Sequence, residues 1–109
     1  MSYKFSTTPA FDKSVKFLAK KFPSLPADLK VLKQELLENP TSGDGLGRNC
    51  FKVRMPIKSK GKGKSGGARV ITCVIHVSKD IYLLDIYDKS EKESISETEL
   101  TQYLNQINF

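Results

Sequence analysis

Tryptophan is absent from this 109-residue chain, histidine occurs once, at His76, and cysteine twice, at Cys50 and Cys73. One histidine, set within an apolar stretch, cannot supply the ligand set of a zinc centre. The same shortage removes a Ser-His-Asp triad in most of its forms. The two cysteines have neither C-x-x-C nor zinc-ligand spacing, and they read as reduced packing residues. No window approaches the roughly 18 to 20 consecutive apolar residues of a membrane span. The first residues, "MSYKFSTTPAF", lack the apolar run of a signal peptide, so a cytoplasmic protein is expected. Acids are missing too: none occurs between Asp44 and Asp80.

That interval contains Arg48, Lys52, Arg54, Lys58, Lys60, Lys62, Lys64, Arg69 and Lys79, nine of the chain's eighteen cations. The net charge of +6 is therefore focused in one place. A focus of this kind suits a phosphate backbone. The plainer alternative is a solvated lysine face that serves solubility.

Periodicity supplies the frame. "SYKFSTT" is a short candidate strand, and Thr8-Pro9 reads as a helix N-cap with proline at the first helical position. Phe11, Val15, Leu18 and Phe22 follow at helical spacing until Pro23. "SLPADLKVLKQELLENP" starts a second helix with Leu29, Leu32 and Leu36 as its buried stripe, ended by Asn39-Pro40. "TSGDGLG" reads as a loop. The period then becomes two: Phe51, Val53, Met55 and Ile57 alternate with Lys52, Arg54, Pro56 and Lys58, giving a strand with one apolar and one cationic face. "ARVITCVIHV" is continuously apolar, as for a central strand covered on both faces. Ser78-Lys79-Asp80 turns the chain into the strand "IYLLDIY". A capping box, Ser96 to Glu99, opens a C-terminal helix carrying Leu100, Tyr103, Leu104 and Ile107. The order β-α-α-β-β-β-α predicts one α+β domain over residues 1–109: a two-helix hairpin packed on a mainly antiparallel four-stranded sheet, with a C-terminal helix. The opposite sheet face is expected to carry the cations.

"GKGKSGG" invites comparison with a nucleotide-binding P-loop. The motif needs glycine where Lys58 stands, and a helix afterwards where a strand follows. No acid pair lies near the basic segment to hold magnesium, so no metal and no cofactor are expected. What remains is a site of cations, hydroxyls and backbone amides. Such groups can still catalyse phosphoryl transfer on RNA, since a ribose 2′-hydroxyl can attack its own phosphodiester while cations stabilise the phosphoryl oxygens. Lys52, Arg54 and Arg69 are best placed for this, and Tyr87 and Lys89 lie where the last strand ends.

In the ordered set "TTPAFDKSVKFLAKKFPSL", "LLENPTSGDGLG", "CFKVRM", "GKGKSGGARVI" and "YLLDIYDKSEKESIS" the chain resembles the RelE/ParE superfamily of bacterial type II toxins, in its RelE/HigB-like branch. The resemblance implies a microbial RNase fold, ribosome-dependent cleavage of mRNA in the decoding site, and a cognate antitoxin. It makes Lys52 and Arg54 of "FKVRM" phosphate-contacting or catalytic candidates and Arg69 of "GGARV" a transition-state clamp. "YDKSEK" adds Lys89 and Lys92, with Tyr87 as the candidate aromatic. Several ribonuclease members place an arginine within that last motif and a tyrosine shortly after; here Ser90 and Ser96 stand in those places. Lys58, Lys60, Lys62 and Lys64 read as a mobile loop that docks on the ribosome or mRNA. Two other functions remain open: a ParE-like inhibitor of DNA gyrase, and an inactive RNA-binding relative.

Overall fold

In the computed structural model, which describes residues 3–107, the elements are β1 (Lys4–Thr7), α1 (Pro9–Lys21), α2 (Leu25–Glu38), β2 (Asp44–Gly47), β3 (Cys50–Met55), a 3₁₀ turn at Lys58–Lys60, β4 (Ala68–Ile75), β5 (Asp80–Asp88) and α3 (Glu97–Leu104). Of the first predicted strand, Ser2 lies outside the described residues. The sheet order is β1-β5-β4-β3-β2. Only β1 pairs in parallel, with β5; the other three pairings are antiparallel.

The α+β class holds, but the sheet has five strands rather than four. The extra strand, β2, arises inside "TSGDGLG". Glycines carry no side chains to alternate, so periodicity cannot reveal such a strand; backbone pairing makes it. Gly47 stands opposite Cys50, so only Arg48 and Asn49 close the hairpin, with φ of 55° and 61°. Positive φ at both central residues is the signature of the type I′ turn, whose twist matches that of paired strands.

Thr8 links local structure to packing. Its hydroxyl oxygen accepts from the Phe11 amide at 3.1 Å, capping α1, and its hydroxyl donates to the Leu84 carbonyl at 2.6 Å. The helix start is thus tied to β5. Thr8→Ala is expected to cost about 1–2 kcal/mol, since it removes a cap and leaves a buried carbonyl short of a partner. Urea unfolding checks this, and a shift below a few tenths would remove the cap from the fold's supports.

The helix hairpin covers one sheet face. Phe11, Leu18, Leu25, Leu29, Leu32 and Leu36 pack there with Val53, Met55, Val70, Leu83 and Ile86. The opposite face is not wholly cationic. Part of it is a second apolar cluster, in which Leu100 and Ile107 pack with Cys50, Ile71, Cys73, Leu84 and Tyr87. The cations occupy what α3 leaves uncovered. β4 is also shorter than its apolar run: it ends at Ile75, residues 76–79 form the turn, and Val77 is 99% exposed.

Candidate functional site

Cross-strand register assembles the site. Arg54 pairs with Arg69, and Arg69 pairs with Tyr87, so the three stand in one row across β3, β4 and β5. Lys52 lies two residues back along β3 and projects on the same face by the two-residue period of a strand. The three strands thus bring together side chains from distant parts of the chain.

Arg54 is exposed, whereas Arg69 is buried, with 5% exposure. The Arg69 guanidinium donates from Nη1 to the carbonyls of Lys64 (3.0 Å) and Ala68 (3.1 Å), and from Nη2 to that of Ser65 (3.3 Å). Among the described residues no ion pair joins it to a carboxylate. A buried cation offset only by carbonyl dipoles is costly, and an arriving anion relieves that cost.

Tyr87 is a core aromatic that also stands in this row. Its ring belongs to the second apolar cluster, and its hydroxyl donates to the Glu93 carbonyl at 3.4 Å. Lys52 Nζ donates to that same carbonyl at 3.4 Å, so the phenol and the ammonium converge on one oxygen. Burial pushes the Tyr87 pKa up to about 12, with Arg69 opposing and Glu99 adding. Near neutral pH it is therefore a proton donor. Lys92 Nζ lies 4.9 Å from the centre of the Tyr87 ring and pairs with Glu99 at 2.9 Å. Lys89 Nζ lies 3.4 Å from Glu93 Oε1 at the surface. Ser96 is engaged elsewhere, as the N-cap of α3: its hydroxyl accepts from the Glu99 amide at 3.1 Å.

The glycine-lysine loop departs from the expected mobile tether at Lys60. This lysine forms an ion pair with Asp88, its side chain is 15% exposed, and its Nζ lies 5.8 Å from the centre of the Phe22 ring. Asp88 also accepts from the Ser90 amide at 3.1 Å. Burial alone would raise the Asp88 pKa; the Lys60 and Ser90 hydrogen bonds outweigh it and hold the carboxyl below its ordinary range. The loop's first half is anchored on α2 as well, with the Ser59 amide donating to Ser24 Oγ at 2.9 Å and the Lys58 amide to Asp28 Oδ2 at 3.3 Å. Gly61 closes the 3₁₀ turn at φ 73°, and Gly67 lets the loop pass the Met55 carbonyl, which a Cβ there would strike. Lys58, Lys62 and Lys64 are exposed.

Lys52, Arg54 and Lys64 also line an open cleft of about 580 Å³, together with Glu35, Glu38 and Asp44. His76 sits in the β4–β5 turn, beyond the far end of β4 from Arg69, with Nδ1 3.3 Å from the Tyr3 hydroxyl. Two carboxylates went unread in the sequence. Asp88 holds Lys60, and Asp85 accepts from Ser14 Oγ at 2.6 Å and the Tyr103 hydroxyl at 2.6 Å, tying α1 and α3 to β5. Aspartate is depleted in strands, so two of them in "LLDIYD" were the available signal.

No family model matches the chain. Among solved structures it is similar to that of an Escherichia coli toxin RelE mutant in the free state, in which two arginines are replaced by alanine. The TM-score is 0.66 with 17% sequence identity, over 99% of this chain and 100% of that one. The chain therefore has the RelE-like toxin fold, and among the described residues no helix is long and apolar enough to cross a membrane.

Proposed function

We propose that this RelE-like chain is the toxin of a type II toxin–antitoxin pair, a metal-independent endoribonuclease that cleaves mRNA on translating ribosomes in the cytoplasm. The observation that carries the reading is the Arg54–Arg69–Tyr87 row, in which Arg69 is buried without a carboxylate partner. That row suits a phosphodiester better than any neutral ligand.

In the proposed reaction the ribose 2′-hydroxyl releases its proton to solvent water and attacks the adjacent phosphorus, and the bond to the 5′-oxygen breaks. The products carry a 2′,3′-cyclic phosphate, or the 3′-phosphate it opens to, and a 5′-hydroxyl. Arg69, Arg54 and Lys52 stabilise the charge that grows on the phosphoryl oxygens. Tyr87, held protonated by burial, donates to the departing oxygen. Lys92 positions the Tyr87 ring, and Lys89 extends the cationic rim. The Glu93 carbonyl occupies the point where Lys52 and Tyr87 converge, and the phosphodiester takes that place when RNA enters.

Lys58, Lys62 and Lys64 form the docking set. Lys60 leaves it, because its charge already faces Asp88. The antitoxin is a protein with an acidic or amphipathic segment that covers the cationic face, burying on the order of 1,200 Å² or more in a lasting complex.

Induced expression in bacteria is expected to arrest growth, and the purified protein is expected to cut mRNA with translating ribosomes but not without them. Continued growth, or equal cleavage in both samples, removes the reading. Growth arrest with uncut transcripts and inhibited DNA supercoiling would support a gyrase inhibitor instead.

A further inference from the structure

Cys50 and Cys73 take no part in the site above, yet the fold sets them face to face. They are register partners on β3 and β4, and both are buried in the second apolar cluster. The Val74 amide donates to the Asn49 carbonyl at 2.9 Å, which makes Asn49 and Val74 the hydrogen-bonded pair of the ladder. The next pair, Cys50 and Cys73, therefore falls at a non-hydrogen-bonded position. There the Cα atoms approach to about 4.5 Å and the side chains are closest. A disulfide spans Cα separations of about 4.4–6.8 Å, so this pair lies within reach of a bond. Both sulfurs also point at one atom, the Arg48 carbonyl oxygen, at 3.4 Å from Cys50 and 3.9 Å from Cys73.

We propose that Cys50 and Cys73 form an oxidation site, a thiol pair that a hydroperoxide converts in the folded protein to a reversible cross-strand disulfide. The two thiols are not equivalent. Cys73, but not Cys50, lines an open cleft of about 430 Å³, along with Arg48, Asn49, His76, Val77 and Leu104. An oxidant reaches Cys73 first. Hydrogen bonding between the sulfurs pushes the Cys50 thiol up, with burial adding, and the same contact lowers Cys73 against its burial. Its place at the cleft makes Cys73 the thiol set to meet the oxidant as thiolate.

The chemistry takes two steps. The Cys73 thiolate attacks one peroxide oxygen and the O–O bond breaks; the leaving oxygen takes a proton and departs as water, leaving a sulfenic acid. The Cys50 sulfur then attacks the Cys73 sulfur, the S–O bond breaks, and a second water leaves with the Cys50 proton. Two thiols lose two electrons, and one hydrogen peroxide gains them.

The test uses the full chain, dilute hydrogen peroxide, an acid quench and tryptic mapping without reductant. The expected product is a monomer in which peptides 49–52 and 70–79 are joined. Both thiols disappear together and return with dithiothreitol. Cys50→Ser is expected to trap Cys73 as a sulfenic acid that dimedone captures, while Cys73→Ser leaves Cys50 unmodified at the same dose. Independent loss of the two thiols, intermolecular dimers alone, or a disulfide that forms only once urea has unfolded the chain would overturn the proposal. The wild-type map decides the matter even if a serine variant folds poorly.

Discussion

Arg69→Ala is expected to lower the maximal rate of single-turnover mRNA cleavage on saturated ribosomes by about 10²–10³-fold, the usual cost of one lost preorganised donor. The size of the effect comes from burial. Arg69 is held by three carbonyls of the 64–68 segment, so its charge is in place before RNA arrives. Because the same contacts fasten that segment, a purely structural role must be separated from a chemical one. Guanidinium at millimolar concentration is expected to restore part of the rate to Arg69→Ala, while leaving its unfolding curve unchanged. Neutralising the exposed Lys62 and Lys64 together is expected to weaken ribosome binding and flatten its salt dependence by about one phosphate contact each at most, at unchanged maximal rate. If the loop variant loses rate and Arg69→Ala loses only affinity, the two roles are reversed.

Lys60→Ala is expected to destabilise the fold by about 3 kcal/mol, the low end for breaking a buried ion pair, because Lys60 keeps some solvent exposure. Asp88 would be left buried with the Ser90 amide and no cation. The pH dependence gives a second signature. The folded-state pKa of Asp88 lies below its ordinary value, so the stability it contributes is present above the ordinary carboxylate range. That contribution is lost as the pH falls through the depressed value. The gap between wild type and Lys60→Ala is therefore expected to be widest near neutral pH and to close in acid. Urea midpoints at a series of pH values measure it. A constant gap across the series would mean that the Lys60–Asp88 pair is not its source.

The helices were legible because their signals are local. Thr8-Pro9 and the Ser96–Glu99 box mark helix starts within a few residues, and the leucines of α2 repeat at helical spacing. The cationic face of β3 was equally plain, since Lys52 and Arg54 alternate with Val53 and Met55. β2 was not legible, because glycine pairing leaves no pattern in side chains. The true end of β4 was hidden for a related reason: Val77 is as apolar as Val74, and only the turn geometry exposes it. Lys60 looked like its three neighbours in the loop. Its difference comes from Asp88, a contact across 28 residues that no window of sequence contains. Tyr87 could be read as core or as site; its ring is in the core, and its hydroxyl reaches the Glu93 carbonyl beside Lys52. The row through Arg54, Arg69 and Tyr87 depends on strand register, which alternation restricts to one face but does not determine residue by residue.

The chemistry of the cut ends tests the proposed reaction most directly. Fragments from mRNA cleaved on translating ribosomes would be assigned by whether a 5′-kinase labels them without prior phosphatase treatment, and by whether their 3′ ends need phosphate removal before ligation. Attack by the 2′-hydroxyl, with Arg69 and Tyr87 in the roles given them, predicts 5′-hydroxyl ends opposite 2′,3′-cyclic or 3′-phosphates. Ends bearing 5′-phosphate and 3′-hydroxyl would contradict it, because they require water as the nucleophile at phosphorus.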